Sequence, residues 1–251
     1  MKTFSAFISL ILLFLVSKNL FAEDLSLSSK DKRTIFIELF TSQGCSSCPP
    51  AEEYLNEFES NESLWSKYIP IAFHVDYWDY IGWKDVFARK DFAARQYRYA
   101  KLKHVRTVYT PAFVVNGNAW RKGFFNSYPQ VSDLKNGKLD VTVTGDVVSS
   151  SYTPNAAATE NLKMNIAVLG MDMIVKISAG ENEGRTSKHS FVVLGYNSRL
   201  SENRRWKMKL PEIKQPVTAK RYALVAWVTN EDDPTPLQAV GSWFKLNESN
   251  N

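Results

Sequence analysis

Cysteine is scarce in this sequence: only Cys45 and Cys48 occur, two residues apart. A single such pair excludes a disulfide-stapled scaffold, because the loop it closes is too small to constrain the unfolded chain much. With 251 residues the chain can build a sizeable core without staples. Histidine is nearly as rare, with three residues. His74, His104 and His189 stand at no close ligand spacing, whereas a closed structural zinc site needs four ligands. No long basic tract occurs, which argues against nucleic-acid binding as the main task. There is no internal repeat and no low-complexity run. The most apolar stretch, Phe4 to Val16, is shorter than the roughly 20 residues a membrane span requires.

What is present begins with that stretch. Lys2 supplies a positive start, the apolar run follows, and Ala22 is a small residue at a possible cut. Residues 1–22 therefore read as a secretory signal peptide, which predicts a periplasmic or secreted protein without stable membrane insertion after cleavage. An uncleaved anchor is the alternative. Cleavage would remove Lys2 and Lys18, leaving 29 basic residues against 26 acidic ones. That mild excess names no partner. Export puts the cysteines where a disulfide can persist. Since the pair is a poor staple, redox activity or metal binding is the expected use.

The pair sits between two predicted elements. Ile35 to Phe40 is a nearly continuous apolar strand, of the kind buried in parallel sheets. Pro50 to about Phe58 reads as a helix, with Glu52 and Glu53 in its first turn; Cys48 and Pro49 are expected to precede it. Ile69 to Val75 is a second strand. A strand–helix–strand order implies a parallel pair, so Asp76 to Trp83 should share a sheet edge with Cys45. Trp78 and Trp83 then either cover core or wall a substrate site, and Asp76 stands with them. Glu38 is either a surface acid or a buried acid near the thiols. His74 is either a hydrogen-bonded core residue or a ligand.

Asp85 to Leu102 is predicted to be an amphipathic helix burying Val86, Ala93, Tyr97 and Ala100. Its basic face is either solvated or a patch for an acidic partner. Pro111 opens an apolar strand that ends at Asn116-Gly117, a strong hairpin signal, with a return strand from Trp120 to Gly123. After about Gln130 the pattern alternates through Leu139–Val143, Leu162–Ile166, Met171–Ile177 and Tyr222–Val228. That predicts an antiparallel β-sandwich. The polar stretch Asn155 to Glu160 is expected to be a loop. Gly180 to His189 is a charged, turn-rich segment.

The stretch Glu38-Leu39-Phe40-Thr41-Ser42-Gln43-Gly44-Cys45-Ser46-Ser47-Cys48-Pro49-Pro50-Ala51 resembles the signature of a secreted thioredoxin-like family of about 250 residues, classed as a domain of unknown function. His74-Val75-Asp76-Tyr77-Trp78-Asp79, Gly82-Trp83, Tyr109-Thr110-Pro111 and the segment Gly180 to Thr186 resemble its pattern too. The resemblance implies an α/β thioredoxin-like N-terminal domain over 33–130 and a C-terminal antiparallel β-sandwich-like domain over 138–247. It also implies a cis Thr110–Pro111 bond beside the cysteines, with Thr110 positioning a substrate. Thioredoxin itself has other residues at Gly44, Ser46 and Ser47, so neither redox poise nor partner surface carries over.

Three functions compete. The first is a thiol–disulfide oxidoreductase acting on protein or small-molecule thiols and disulfides, with no cofactor beyond the Cys45–Cys48 disulfide. Cys45 would be the nucleophile and Cys48 the resolving thiol. Glu38, Asp76, Trp78 and Arg185 would form the edge of the site. The second is copper or zinc binding or delivery, with His74 or His104 joining the thiolates. The third is a non-enzymatic binding module. The segment Gly180 to His189 is further expected to fold back over the thiols.

Overall fold

A computed structural model describes residues 24–121, 127–130, 134–155, 161–201, 203–213 and 218–246. The expected leader over 1–22, Lys122 and Gly123 of the return strand and all but Asn155 of the 155–160 loop lie outside the described residues.

The chain runs β1 (Leu25–Ser28), β2 (Ile35–Thr41), α1 (Pro49–Asn56), β3 (Tyr68–His74), α2 (Lys90–Lys101), β4 (Ala112–Val115) and β5 (Asn118–Trp120). It continues through β6 (Lys138–Thr144), β7 (Val147–Thr153), β8 (Leu162–Met171), β9 (Met173–Lys176), β10 (Thr186–His189) and β11 (Val192–Ser201). β12 (Arg205–Lys209), β13 (Arg221–Asn230) and β14 (Gln238–Phe244) complete it. One sheet has eight strands in the order β14-β13-β8-β11-β3-β2-β4-β5; a second has four, β1-β6-β7-β12; β9 and β10 form a hairpin.

This corrects the expected fold class. Fourteen strands face two α-helices among the described residues, and the chain is mostly β rather than an α/β thioredoxin-like domain joined to a separate sandwich. The physical cause is the junction between β3 and β11. They pair in parallel at Val192 and Ala72, and the Ala72 amide donates to Phe191 O at 2.8 Å. One sheet therefore runs through both halves of the sequence.

Its two faces carry different cores. Towards the four-stranded sheet, Met164, Ile166, Val168, Leu224, Ala226 and Val228 meet Leu139, Val141, Val143 and Trp206. Alternation along β6 produces this packing: every second side chain is buried. On β2 all seven residues are buried, because helices cover both faces. Thr41 lies on the α1 face, bonded to Glu52 at 2.6 Å. Phe40 lies on the α2 face, edge-on to Tyr99.

The helices differ from expectation in detail. α1 starts at Pro49, with Cys48 as its N-cap in right-handed helical geometry. α2 starts five residues later than expected, because the Asp85 side chain accepts from Phe87 N at 2.9 Å and holds that segment in a turn. α2 buries Phe92, Ala93, Arg95, Gln96 and Tyr99, while Tyr97 is exposed. The buried face is chosen by an ion pair. Arg95 Nε donates to Glu38 Oε1 at 2.6 Å, and Tyr99 Oη–H donates to Glu38 Oε2 at 2.6 Å. The Arg95 guanidinium also lies over the rings of Phe73 and Trp227.

The Asn116-Gly117 hairpin is as the sequence predicts. Both residues have positive φ, 48° and 85°, and Val115 faces Asn118 across a two-residue turn.

Removing one partner of a buried pair strands the other charge, at a cost of about 3–5 kcal/mol. Arg95→Met is therefore expected to lower unfolding free energy by about that amount in urea titration. A loss below about 1 kcal/mol would show that Glu38 does not need its partner.

Candidate functional site

The parallel register of β2 and β3 puts Thr41 beside His74 at one sheet edge. The chain beyond β2 turns there through Ser42, Gln43 and Gly44 into the cysteines. A side chain at Gly44 would press on Trp78 Cβ at 3.2 Å, which explains the glycine at this place. Cys45 and Cys48 form a disulfide with Cα atoms 5.4 Å apart. Cys45 is 2% exposed and Cys48 0%, while Ser46 and Ser47 between them are exposed.

Trp78 and Thr110 meet at this edge: the indole Nε1–H donates to Thr110 Oγ1 at 2.7 Å. The Thr110–Pro111 bond is cis. Tyr80 stacks on Trp78 and is the most exposed large ring of the segment. Asp76 stands half-buried at the same edge. Glu38 does not join them. It sits three residues from Thr41, hence on the opposite face of the strand, where Arg95 and Tyr99 occupy it.

The segment between β9 and β10 reaches the cysteines through two residues that sequence reasoning did not single out. Buried Asn182 donates from Nδ2 to Gln43 O at 2.8 Å and to Cys45 O at 2.9 Å. Glu181 Oε2 accepts from Ser46 N at 3.2 Å. The close approach needs Gly180, whose φ is +78° and whose absent side chain would meet Trp83 Cβ at 3.2 Å. Arg185 is exposed, and its backbone closes the turn by accepting from Ile177 N.

Beneath lies a buried polar cluster. His74 Nδ1 pairs with Asp85 Oδ2 at 2.7 Å, and the same oxygen accepts from Gln43 N at 2.8 Å. Trp83 Nε1–H donates to Gln43 Oε1 at 2.9 Å, so the Gln43 amide presents its nitrogen to His189 Nε2, 3.3 Å away. His189 Nδ1 lies 3.0 Å from Glu52 Oε2, but off the line a good hydrogen bond needs. Glu52 Oε1 accepts from Thr41. Glu52 follows Cys48 by four residues on α1, so it stands one turn beyond it on the same helix face.

Burial alone would raise the Glu52 pKa. The imidazole of His189, that of His74 and the Thr41 hydroxyl outweigh burial and pull it down to about 2. Burial alone would likewise lower His74, but Asp85 and then Glu52 hold it above the ordinary histidine value. His104 lies elsewhere, 3.2 Å from Asp233. A cavity of about 700 Å³ borders Lys220 to Tyr222 and Trp243 to Leu246; none of its lining residues belongs to the cysteine site.

The sequence offered partial signals for the missed groups. His189 and Asn182 stood in the charged segment, and Glu52 read only as a helix-dipole residue. Nothing local marked Gln43 or Asp85, since their roles come from partners up to 146 residues away.

Asn182→Ala removes the side-chain donor from Gln43 O and leaves Cys45 O only the Cys48 amide. Such loss is expected to cost about 1–3 kcal/mol and to speed reduction of the disulfide by dithiothreitol. An unchanged reduction rate would show that Asn182 does not guard the pair.

Two solved structures share the fold. An X-ray crystal structure of an Agrobacterium tumefaciens protein from a structural genomics consortium aligns at a TM-score of 0.53 and 23% identity, covering 88% of this chain and 98% of that one. HBP35 of Porphyromonas gingivalis aligns at 0.53 and 11% identity, covering 85% and 76%. No curated protein matches the sequence. The model of the family described as "Protein of unknown function (DUF1223)" matches residues 36–229, and the chain belongs to that family.

Proposed function

We propose that this protein is an exported thiol–disulfide oxidoreductase working through Cys45 and Cys48. The observation that carries this reading is the disulfide at the start of α1, with Cys48 in the N-cap position. Helix N-termini stabilise a nearby thiolate and lower its pKa. In the oxidising direction a substrate thiolate attacks Cys45 Sγ, and the electron pair of the broken bond leaves on Cys48. A second substrate thiolate then attacks the mixed disulfide. The substrate departs as a disulfide, and the pair is left as two thiols after Cys45 and Cys48 each take up a proton. Running the steps backwards reduces a substrate disulfide.

Access to Cys45 sets the rate in this reading. Cys45 is almost wholly buried and Asn182 and Glu181 hold the backbone on either side of its carbon–carbonyl unit, so the substrate must displace part of its surroundings. Thr110 and Trp78 line the approach, and the serines supply an exposed polar rim. The same burial favours a second reading, in which the disulfide is idle and the surface around it binds a partner.

A trapping experiment separates the two. Cys48→Ala, exported in its native compartment, is expected to accumulate mixed disulfides at Cys45, and Cys45→Ser is expected to abolish exchange with a model disulfide. A reduced protein that exchanges with no disulfide and traps no thiol would leave the idle-disulfide reading standing.

A further inference from the structure

Three buried side chains beneath the cysteines each have one polar atom held and one atom left over. His74 gives Nδ1 to Asp85 and keeps Nε2; that atom is buried without a hydrogen-bond partner. His189 sets Nε2 against Gln43 and keeps Nδ1, also buried without a well-aligned partner. Glu52 takes Thr41 on Oε1 and keeps Oε2. One donor atom from each of the three residues lies within 4.8 Å of one from each of the others.

We infer that Glu52, His74 and His189 form a binding site for a divalent first-row transition cation of the zinc class, held without either cysteine. The donor set suits that choice. Imidazole nitrogens take zinc, copper, iron or nickel, whereas calcium and magnesium want oxygen shells. Two nitrogens and one carboxylate oxygen make the three-ligand set of an open zinc site, which leaves a fourth position for water or a small ligand. The spacing fits as well. Bonds of about 2.0–2.1 Å put tetrahedral ligands roughly 3.3 Å apart, and His189 Nδ1 to Glu52 Oε2 is already 3.0 Å. The other donor pairs lie no more than 4.8 Å apart, within about 1.5 Å of that tetrahedral spacing.

The outer partners strengthen the assignment. A histidine ligand ordinarily bonds its second nitrogen to a carboxylate or carbonyl, which fixes the tautomer and the ring. Asp85 does this for His74 at 2.7 Å. For His189 the partner is the Gln43 amide, and here loading has a visible consequence. With Trp83 donating to Gln43 Oε1, the amide offers N–H to His189 Nε2, which places the His189 proton on Nδ1. A cation at Nδ1 moves that proton to Nε2. Gln43 must then turn its oxygen to His189 and release Trp83. The Trp83 indole N–H is therefore a reporter of occupancy.

The site is independent of the thiol chemistry, and the test keeps the two apart. The full chain, stripped of metal and with its disulfide intact, is titrated with zinc chloride. One zinc per chain is expected, with a shift of the Trp83 indole ¹⁵N–¹H resonance. X-ray absorption of the loaded protein is expected to show only nitrogen and oxygen neighbours near 2.0–2.1 Å and none at the roughly 2.3 Å of sulfur. His74→Asn keeps an amide donor for Asp85 and deletes Nε2, so affinity should fall at least about 100-fold. No zinc bound at tens of micromolar, sulfur in the first shell, or a folded His74→Asn with unchanged affinity would each overturn the site. If His74→Asn does not fold, the absorption spectrum of the wild-type protein decides alone.

Discussion

The parallel junction of β3 and β11 is the constraint on which this molecule depends. It is short, with Val192 opposite Ala72 as its register pair. It is nevertheless what turns two strand sets into one eight-stranded sheet. The chain enters it at Phe191, a buried aromatic residue with φ of 60°. A bulky side chain in the left-handed region costs of order 1–3 kcal/mol and persists only where its surroundings over-determine it. Here the surroundings are the core on the helix-covered face and the Ala72 hydrogen bond. The reward is positional. Two residues before Phe191, His189 comes edge-on to His74, and the β9–β10 hairpin is delivered over the cysteines.

Buried polar groups do much of the remaining specification. Glu38 with Arg95 sets which face of α2 packs down. Gln238, from the far edge strand, accepts from Thr34 N at 3.1 Å and donates to Gly137 O at 2.8 Å, tying the eight-stranded sheet to the lead-in of the smaller one. Gln43 joins both halves of the sequence at the site, through Asp85 and Trp83 on one side and Asn182 and His189 on the other. Such networks contribute modest net stability when complete and cost several kcal/mol when one member is lost. They therefore favour one arrangement over its alternatives more than they deepen the minimum.

Reading the sequence alone reached the elements with local signatures. β2, β3, the Asn116-Gly117 turn and the alternating strands of the second half all carry periodicity or turn chemistry within a few residues. The shared edge of the cysteine pair and Trp78 follows from strand order, and the place of Thr110 beside them from the family resemblance. Two errors share one origin. Apolar spacing misplaces the buried face of α2, because it undervalues a buried Arg95 that has found Glu38. It also makes the halves look separate, because the pairing of Val192 with Ala72, 120 positions away, leaves no local mark. The polar cluster below the cysteines has no local mark for the same reason.

The cover over the disulfide comes from late in the chain. Asn182 reaches Cys45 across 137 residues, whereas the helix carrying Cys48 is local. Contacts this distant form slowly, because a long loop must be closed before they return any energy. The backbone around Cys45 is therefore completed only once the segment between β9 and β10 has docked, although the cysteines themselves lie on a local turn and helix.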